Sequence, residues 1–291
     1  MAHPSHPLTA RVYVNRIWRW HFGAGIVAST DNFGKLGDRP THPELLDWLA
    51  KQLIDSSWST KRMHRLIVLS STYQMASTHP SDASCAGVDA ENRLLWKFRT
   101  QRLDAEPIRD SILAVTGRLE RKMGGKSVPL RNRQFVFDHT SIDHTKYDSL
   151  RRAVYLPVVR NNVYTLFEQF DFPDPTVPTG SRNSTVVAPQ ALLMMNSELV
   201  MDSADVWAEQ LLKREGSDVE RVGWAYELAF SRQPTAAETK RALAFVGELS
   251  SADIAQAAGA VDNTDKTRAR RQAWSLFCQS LLASNEFIYV R

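Results

Sequence analysis

The stretch that decides the fold is RVYVNRIWRWHFGAGIVASTDNFGKLGDRPTHPELLDWLA, residues 11–50. Its first part predicts an amphipathic helix, because apolar residues recur at helical spacing: Val14, Ile17, Trp18 and Phe22. Thr9 is placed to cap the start of this helix. Gly23 is placed to end it, because glycine adopts the left-handed conformation of a helix C-terminus without steric cost.

The residues after this helix predict a long ordered loop followed by a second helix. The loop covers residues 24–40, which we call the glycine loop. Its glycines are Gly25, Gly34 and Gly37. Long ordered loops are often functional. Thr41 and Glu44 then indicate a helix start, because the threonine hydroxyl and the glutamate carboxylate can each accept from the other residue's amide.

The rest of the chain predicts a mainly α fold. Further helices are expected to begin at Ser59, near residue 104, and at Asn196, Asp218, Thr235 and about residue 266. Residues 79–89 and 167–184 read as loops because they are rich in turn-forming residues. Residues 151–159 alternate as a strand does, although Pro157 is unfavourable in a central strand. We expect a multi-helix globular domain with long ordered loops and at most a short strand or hairpin.

The same patterns suggest three consecutive parts. Residues 1–130 form an N-terminal helical half with the glycine loop, 131–185 an irregular segment with a short strand, and 186–291 a C-terminal helical half. Residues 250–265 are small, polar and alanine-rich, which is typical of a flexible connection. We expect the three parts to form one integrated domain.

Composition restricts the class of protein. A hydrophobic share of 43% and a charged share of 23% are ordinary for a globular protein, and no apolar run approaches the ~20 residues of a membrane helix. The N-terminus lacks the basic and apolar regions of a signal peptide. Cys85 and Cys278 form no CxxC or CxxCH motif, so the usual ligand spacing for zinc, iron–sulfur clusters or covalent haem is missing. Cys278 lies in an apolar run and is expected in the core.

A first group of polar residues flanks the glycine loop: Asn15, Arg16, His21, Asp31 and His42. One interpretation is a buried network in which Asp31 accepts from loop amides and Arg16 pairs with a carboxylate. The other interpretation is a ligand cleft in which these polar groups converge at the loop.

A second group lies in the sequence QRLDAEPIRDS and comprises Asp104, Glu106, Arg109 and Asp110. These residues offer a general acid, a general base and a cationic clamp. They equally fit a solvated helix start, because acidic residues in the first turn interact favourably with the helix dipole.

Two further groups have weaker patterns. Two Asp-His pairs have nitrogen and oxygen donors for a metal: Asp138, His139, Asp143 and His144. They lie in an irregular segment, so we predict an exposed loop and no metal site. Asp171 and Arg182 stand among closely spaced polar residues before a predicted helix, and a loop clamped by Arg182 to Asp171 is the simplest interpretation.

Several motifs together resemble a known family. In order they are RVYVNRIWRWHFGAGIV, DNFGKLGDRPTHPELLDWLA, STKRMHRLIVLSSTYQ, ENRLLWKF, RLDAEPIRDSILAVTGRL and TVVAPQALLMMNSELV. The chain resembles the planctomycete-type domain of unknown function that follows cytochrome c-like domains in large exported proteins. The resemblance implies a periplasmic or otherwise extracytoplasmic location. It implies haem c in a separate upstream domain and no cofactor in this chain, and it assigns no catalytic residue.

Different functions follow from these observations. The first is a non-catalytic helical module that docks onto or orients the cytochrome c-like domain of its parent protein. The alternative is a polysaccharide-binding or polysaccharide-degrading domain with an acid/base site, because tryptophans beside arginines and carboxylates suit sugar stacking and anion contact. Nucleic-acid binding ranks last. It would rest on a basic run alone: Arg118, Arg121, Lys122, Lys126, Arg131 and Arg133.

Overall fold

The computed structural model describes residues 3, 6–128, 148–160, 162–256 and 263–290. The fold is mainly α, as predicted. The earlier elements are α1 Thr9–Phe22, α2 Pro43–Asp55, α3 Thr60–Val68, α4 Asp82–Val88, β1 Gln101–Arg102 and α5 Ala105–Val115. A 3-10 turn at Ala153–Tyr155 and α6 Thr165–Gln169 follow. The later elements are α7 Ala188–Asn196, α8 Glu198–Lys213, α9 Asp218–Phe230, α10 Ala236–Gln256, α11 Asn263–Leu282, α12 Asn285–Ile288 and β2 Tyr289–Val290.

The chain divides into two compact units. The first unit comprises Met1–Gln101, Pro178–Arg182 and Val290–Arg291, and the second comprises Arg102–Val177 and Asn183–Tyr289. β1 and β2 pair as a two-stranded sheet, which agrees with the prediction of at most a short hairpin. The predicted limits near residues 130 and 185, and the single integrated domain, stay predictions.

The first unit has a core built by α1, α2 and α3. Gly23 ends α1 with a left-handed φ of 78°, as predicted. The predicted Thr9 cap is wrong, since Leu8 occupies the N-cap position without a side-chain bond. The imidazole of His6 takes over that role, because its Nδ1 accepts from the Thr9 amide at 3.2 Å.

The start of α2 also differs from its prediction. His42 is the N-cap and no side chain caps the helix. Thr41 is occupied elsewhere, because its amide donates to the carbonyl of Ile26 at 2.9 Å and its hydroxyl donates to the same oxygen at 3.3 Å. The expected capping box is therefore replaced by a tie to the glycine loop. At α3 the predicted Ser59 cap is confirmed, with its hydroxyl accepting from the Arg62 amide.

The second unit is built mainly on α8, α10 and α11. Trp207 and Trp274 are fully buried in its apolar core, and Cys278 lies beside them in the same cluster as predicted. Cys85 and Cys278 are both free thiols. Burial raises the pKa of the Cys278 thiol well above its usual value, which keeps it in the neutral form. Thr235 and Glu238 form the predicted capping box at the start of α10.

Several other helix limits differ from the predicted ones. Ser197 and Ser217, rather than Asn196 and Asp218, accept the capping hydrogen bonds of α8 and α9. The predicted loop at 79–89 is wrong, because α4 occupies most of it. α10 continues to Gln256 and α11 begins at Asn263, so the predicted flexible connection at 250–265 is largely helical where the structure describes it. α5 stops at Val115 rather than near residue 120.

The predicted strand at 151–159 is also wrong. A 3-10 turn stands there instead, and side chains of α5 bind its backbone. Arg109 donates to the carbonyl of Arg151, and Asp110 accepts from the amide of Ala153. These two side-chain bonds, together with a single β-bridge between Arg151 and Glu120, pair backbone groups of this segment without a strand. Among the residues that the structure covers, no helix combines the length and apolar character needed to cross a membrane.

Candidate functional site

The glycine loop is fixed to α1 by a buried amide. Asn15 is fully buried, and its side chain donates to the Val27 carbonyl at 3.0 Å and accepts from the Val27 amide at 2.9 Å. Gly25 permits this close approach, because a Cβ there would lie 2.4 Å from the Val27 carbonyl oxygen and 2.8 Å from the Asn15 side chain. Asn15 therefore has a structural role, which is the network interpretation of this residue.

A cavity of about 380 Å³ adjoins this loop within the first unit. His42 is among its lining residues, and its Nδ1 lies 2.9 Å from the Thr41 hydroxyl. The lining from this side of the unit includes Trp18, Ala24, Gly25, Ile26, Ala28 and Thr41. The cavity is thus the feature that the cleft interpretation requires, although only His42 of the predicted residues lines it.

A second loop, residues 89–99, supplies the remaining lining: Glu91, Asn92, Arg93, Leu95 and Arg99. Asp89 holds this loop in shape, since its carboxylate accepts from the amides of Arg93 at 2.9 Å and Leu94 at 2.8 Å. These backbone hydrogen bonds lower the pKa of Asp89, because they stabilise the charged carboxylate. Asp89 therefore ties the start of this loop to Arg93 and Leu94.

Sequence reasoning missed the contribution of this second loop. Its motif ENRLLWKF carried the family resemblance but was not recognised as part of a site. Two signals were present. The first is Asp89, which precedes Arg93 by four residues, because aspartate side chains often bind nearby backbone amides in turns. The second is Asn92, because asparagine tolerates left-handed backbone conformations, and the structure gives it a φ of 51°.

Asp31 binds a segment distant in sequence rather than its own loop. Its carboxylate accepts from the Gly180 amide at 3.2 Å, so the expected bonds to amides of the glycine loop are wrong. Arg19 and Thr30 donate to the Gly180 carbonyl at 2.8 and 3.3 Å. A Cβ on residue 180 would lie 1.2 Å from the Asp31 carboxylate, so glycine is required there unless Asp31 moves. The peptide at residue 180 is therefore bound on both sides.

Arg182 lies near an exposed tryptophan in the first unit. Its guanidinium carbon is 6.0 Å from the ring centre of Trp20, and that of Arg19 is 5.5 Å away. Trp20 is 55% exposed. Arg16, in contrast, is exposed and forms neither an ion pair nor a hydrogen bond with the described residues, so its predicted carboxylate partner is wrong.

His21 pairs with another histidine. Its Nε2 lies 2.8 Å from Nδ1 of His64, which joins α1 to α3. Partial burial, and then the nearby His64, lower the pKa of His21. At this distance one of the two nitrogens donates and the other accepts.

In the second unit, Arg109 is a buried structural residue. It is fully buried on α5 and donates to the carbonyls of Arg151 and Ser149 and to the Asp148 carboxylate. Tyr164 donates to the other oxygen of Asp148 at 3.1 Å. Burial, and then the charge of Asp148, raise the pKa of Tyr164 to about 12. Arg109 therefore anchors residues 148–151 to α5.

The acidic residues of α5 have separate environments. Asp110 accepts from the Ala153 amide at 2.7 Å and lies 3.6 Å from Arg109. Glu106 is half-buried in the first turn, where a carboxylate interacts favourably with the helix dipole. These two carboxylates thus fit the predicted helix start. Their use as an acid/base pair stays a prediction.

Asp171 is held by an arginine that the sequence did not single out, Arg102, and by Thr185. Arg102 contacts its carboxylate at 2.8 Å, and the amide and hydroxyl of Thr185 both donate to it. The predicted contact between Arg182 and Asp171 stays a prediction. Asp171 has a φ of 58°, and its pKa is lowered despite partial desolvation, because Thr185 and Arg102 stabilise the charge. The residue closes the loop before α7.

Metal ligation finds no support in the part of the chain that the structure describes, where no group of histidine, cysteine and acidic residues is suitable for an ion. The two predicted Asp-His pairs lie outside the described residues.

Comparison with protein families identifies a matching family model. A model described as "PSD1: Protein of unknown function (DUF1553)" matches residues 1–246. Comparisons with curated proteins and with solved structures find no match.

Proposed function

The chain belongs to this PSD1 family of proteins of unknown function, and on that premise we propose that it is a non-catalytic helical module of a larger exported protein. In this proposal the module docks onto a c-type cytochrome domain of the same parent protein, in the periplasm or otherwise outside the cytoplasm. Haem c belongs to that upstream domain, and this chain carries no cofactor of its own.

The observation that carries the docking role is an exposed apolar surface on α7 and the residues before it. Val186 is 80% exposed, and Leu192 and Met195 are each 57% exposed. Leu192 and Met195 lie three residues apart on α7, so they share a face of the helix. Exposed apolar side chains on one face of a helix suit contact with a partner, and methionine adapts readily to a partner's shape.

The contacts of the polar residues support binding rather than catalysis. Arg109 and Asp171 were candidates for chemistry, but each is engaged in hydrogen bonds that hold a loop to a helix or to another loop. Asn15 is likewise engaged with both polar groups of Val27. Groups that satisfy buried backbone atoms cannot leave them without a cost of about 1–3 kcal/mol each.

Binding to the upstream domain tests this function. The full chain should co-purify with its parent protein's c-type cytochrome domain, and Leu192→Asp combined with Met195→Asp should weaken the interaction by about tenfold or more. Val219→Asp is the matched control, because Val219 is 54% exposed in the first turn of α9, where an acidic residue is tolerated. Failure of the wild type to bind, or unchanged binding by the double variant, would contradict the proposal.

A second function, polysaccharide binding, is favoured by the cavity of the first unit. That cavity combines Trp18 with two arginines and His42, which are suitable for contacting an acidic sugar. A panel of neutral, uronate-containing and sulfated polysaccharides tests it. Preferential binding to the acidic members is expected, and equal retention of the neutral members would count against it.

A further inference from the structure

We propose that the cavity between the glycine loop and the second loop binds a single anionic sugar ring, which carries a carboxylate or a sulfate. The inference rests on the polysaccharide-binding function and names its ligand class. The volume of about 380 Å³ lies at the lower end of the range for small-molecule pockets, so it suits one small ligand rather than an extended chain. The ring would be a free monosaccharide or the terminal residue of a polysaccharide.

The anionic group would be bound by Arg93. Its guanidinium forms neither an ion pair nor a side-chain hydrogen bond with the described residues, although its backbone is fixed by Asp89. Arg99 also lines the cavity, and its Nη2 donates to the Glu91 carbonyl at 2.6 Å, which orients the guanidinium. Glu91 is the acidic residue of the lining itself, and the charge of Asp89 also acts on both arginines, although the Asp89 carboxylate is bound by the amides of Arg93 and Leu94. A planar guanidinium binds carboxylate and sulfate in a two-point geometry.

The hydroxyl groups of the ring would be recognised by Asn92. Only 6% of Asn92 is exposed, and its Oδ1 finds no hydrogen-bond donor among the described residues. Its Nδ2 donates to the Lys97 carbonyl at 2.8 Å, so the side chain is held in place with its acceptor unused. A buried acceptor without a donor is unfavourable, and a ligand hydroxyl would supply the missing donor.

The apolar lining is suited to the faces of a sugar ring. Trp18, Ile26 and Leu95 line the cavity; Trp18 and Ile26 are buried in the core, and Leu95 is partly exposed. The loop that carries the polar groups is already ordered by Asp89, whose carbonyl also accepts from the Trp96 indole at 3.0 Å. A preorganised loop loses little conformational freedom when it binds a ligand.

Calorimetry on the full chain tests the inference with glucuronate, glucose 6-sulfate and glucose. Both anionic sugars should bind, and glucose should bind about tenfold more weakly or not at all. Arg93→Ala should weaken the binding of both anions by about tenfold or more, whereas Arg65→Ala, at an exposed site on α3, should not change it. Ala28→Trp should abolish binding, because the new side chain would occupy the cavity.

Equal affinity for glucose and glucuronate, or unchanged affinity in Arg93→Ala, would overturn the inference. Free monosaccharide and polysaccharide end are distinguished by comparing glucuronate with a uronate oligomer that has an accessible terminal residue. Tighter binding of the oligomer identifies a chain end, and equal binding identifies the free sugar. If the wild type and Arg93→Ala bound an acidic polysaccharide with equal affinity, the proposed polysaccharide-binding function would stand. The cavity would then be refuted as the binding site.

Discussion

Two arginines show how the two units differ. Arg109 of the second unit is fully buried, and its guanidinium satisfies backbone carbonyls and the Asp148 carboxylate. Arg93 of the first unit lies on a loop, and its guanidinium has no such partner among the described residues. The same residue type is therefore structural where a helix buries it and available to a ligand where an ordered loop presents it.

The cores of the units differ in a corresponding way. In the second unit α8 and α11 pack large apolar side chains, including Trp207 and Trp274, against each other. In the first unit Ile26 and Val27 of the glycine loop join the core formed by α1, α2 and α3. Stability in the second unit is thus expected to depend on the volume of its buried side chains. In the first unit it is expected to depend on how closely the backbone of the glycine loop packs against α1.

The largest expected effect comes from the core of the second unit. Trp207→Ala should lower the free energy of unfolding by about 3–5 kcal/mol, because it leaves a cavity where a fully buried indole stood. Urea unfolding would measure this loss. Trp207→Phe should be much milder, since it keeps most of the ring and removes an indole N–H that finds no acceptor among the described residues. Trp48→Ala, at an exposed site, should change stability by no more than about 0.5 kcal/mol.

A somewhat smaller effect is expected at Arg109. Arg109→Met should lower the free energy of unfolding by about 2–4 kcal/mol, because the carbonyls of Arg151 and Ser149 and the Asp148 carboxylate lose their donor. Partial exposure of Asp148 moderates the loss, since water can solvate it. Arg93→Ala provides the comparison and should leave urea unfolding unchanged. Equal destabilisation by the two variants would remove the distinction between the two units.

Backbone fit in the first unit is tested by glycine substitutions. Gly25→Ala should cost about 2 kcal/mol, since its methyl group would meet the Val27 carbonyl and separate it from Asn15. Gly87→Ala is the matched control in helix α4, where an added Cβ meets no atom within 4 Å. The control should stabilise the protein by about 0.5–1 kcal/mol, because alanine favours a helix more than glycine does. Urea unfolding of both variants gives the sign of each change.

Periodicity and local turn chemistry predicted much of the fold. The apolar stripe from Val14 to Phe22, the stop at Gly23 and the capping box of Thr235 and Glu238 were predictable because each depends on residues close in sequence. The Thr41 capping box was wrong because the hydroxyl binds the Ile26 carbonyl, fifteen residues away in sequence. The predicted strand at 151–159 was wrong for a similar reason, since α5 binds the carbonyl of Arg151 and the amide of Ala153.

The candidate site was less predictable than the fold. His42 was identified, but Asn92, Arg93 and Arg99 reach the same cavity from a loop distant in sequence. The Arg102–Asp171 pair joins residues separated by 69 positions, and no local pattern favoured Arg102 over Arg182. Local signals identify which residues are polar and ordered, whereas tertiary contacts decide which of them meet.

The smallest expected effect is a difference between the units in pH dependence. The pKa of His21 is lowered in the folded protein, so the unfolded chain binds a proton more readily as the pH falls below its ordinary pKa of 6.5. The contribution of His21 to stability is therefore present above pH 6.5 and is lost as the pH falls further. His21→Gln should show a smaller loss of unfolding free energy between pH 7.5 and 5.5 than the wild type.

In the second unit, hydrogen bonds from Arg232 and Thr235 lower the pKa of Glu238 to about 2 from its ordinary 4.5. Glu238→Gln should therefore alter the pH dependence of the unfolding free energy only below about pH 4.5. If Glu238→Gln changed the pH dependence of the unfolding free energy between pH 7.5 and 5.5, the two residues would not act in separate pH ranges as predicted.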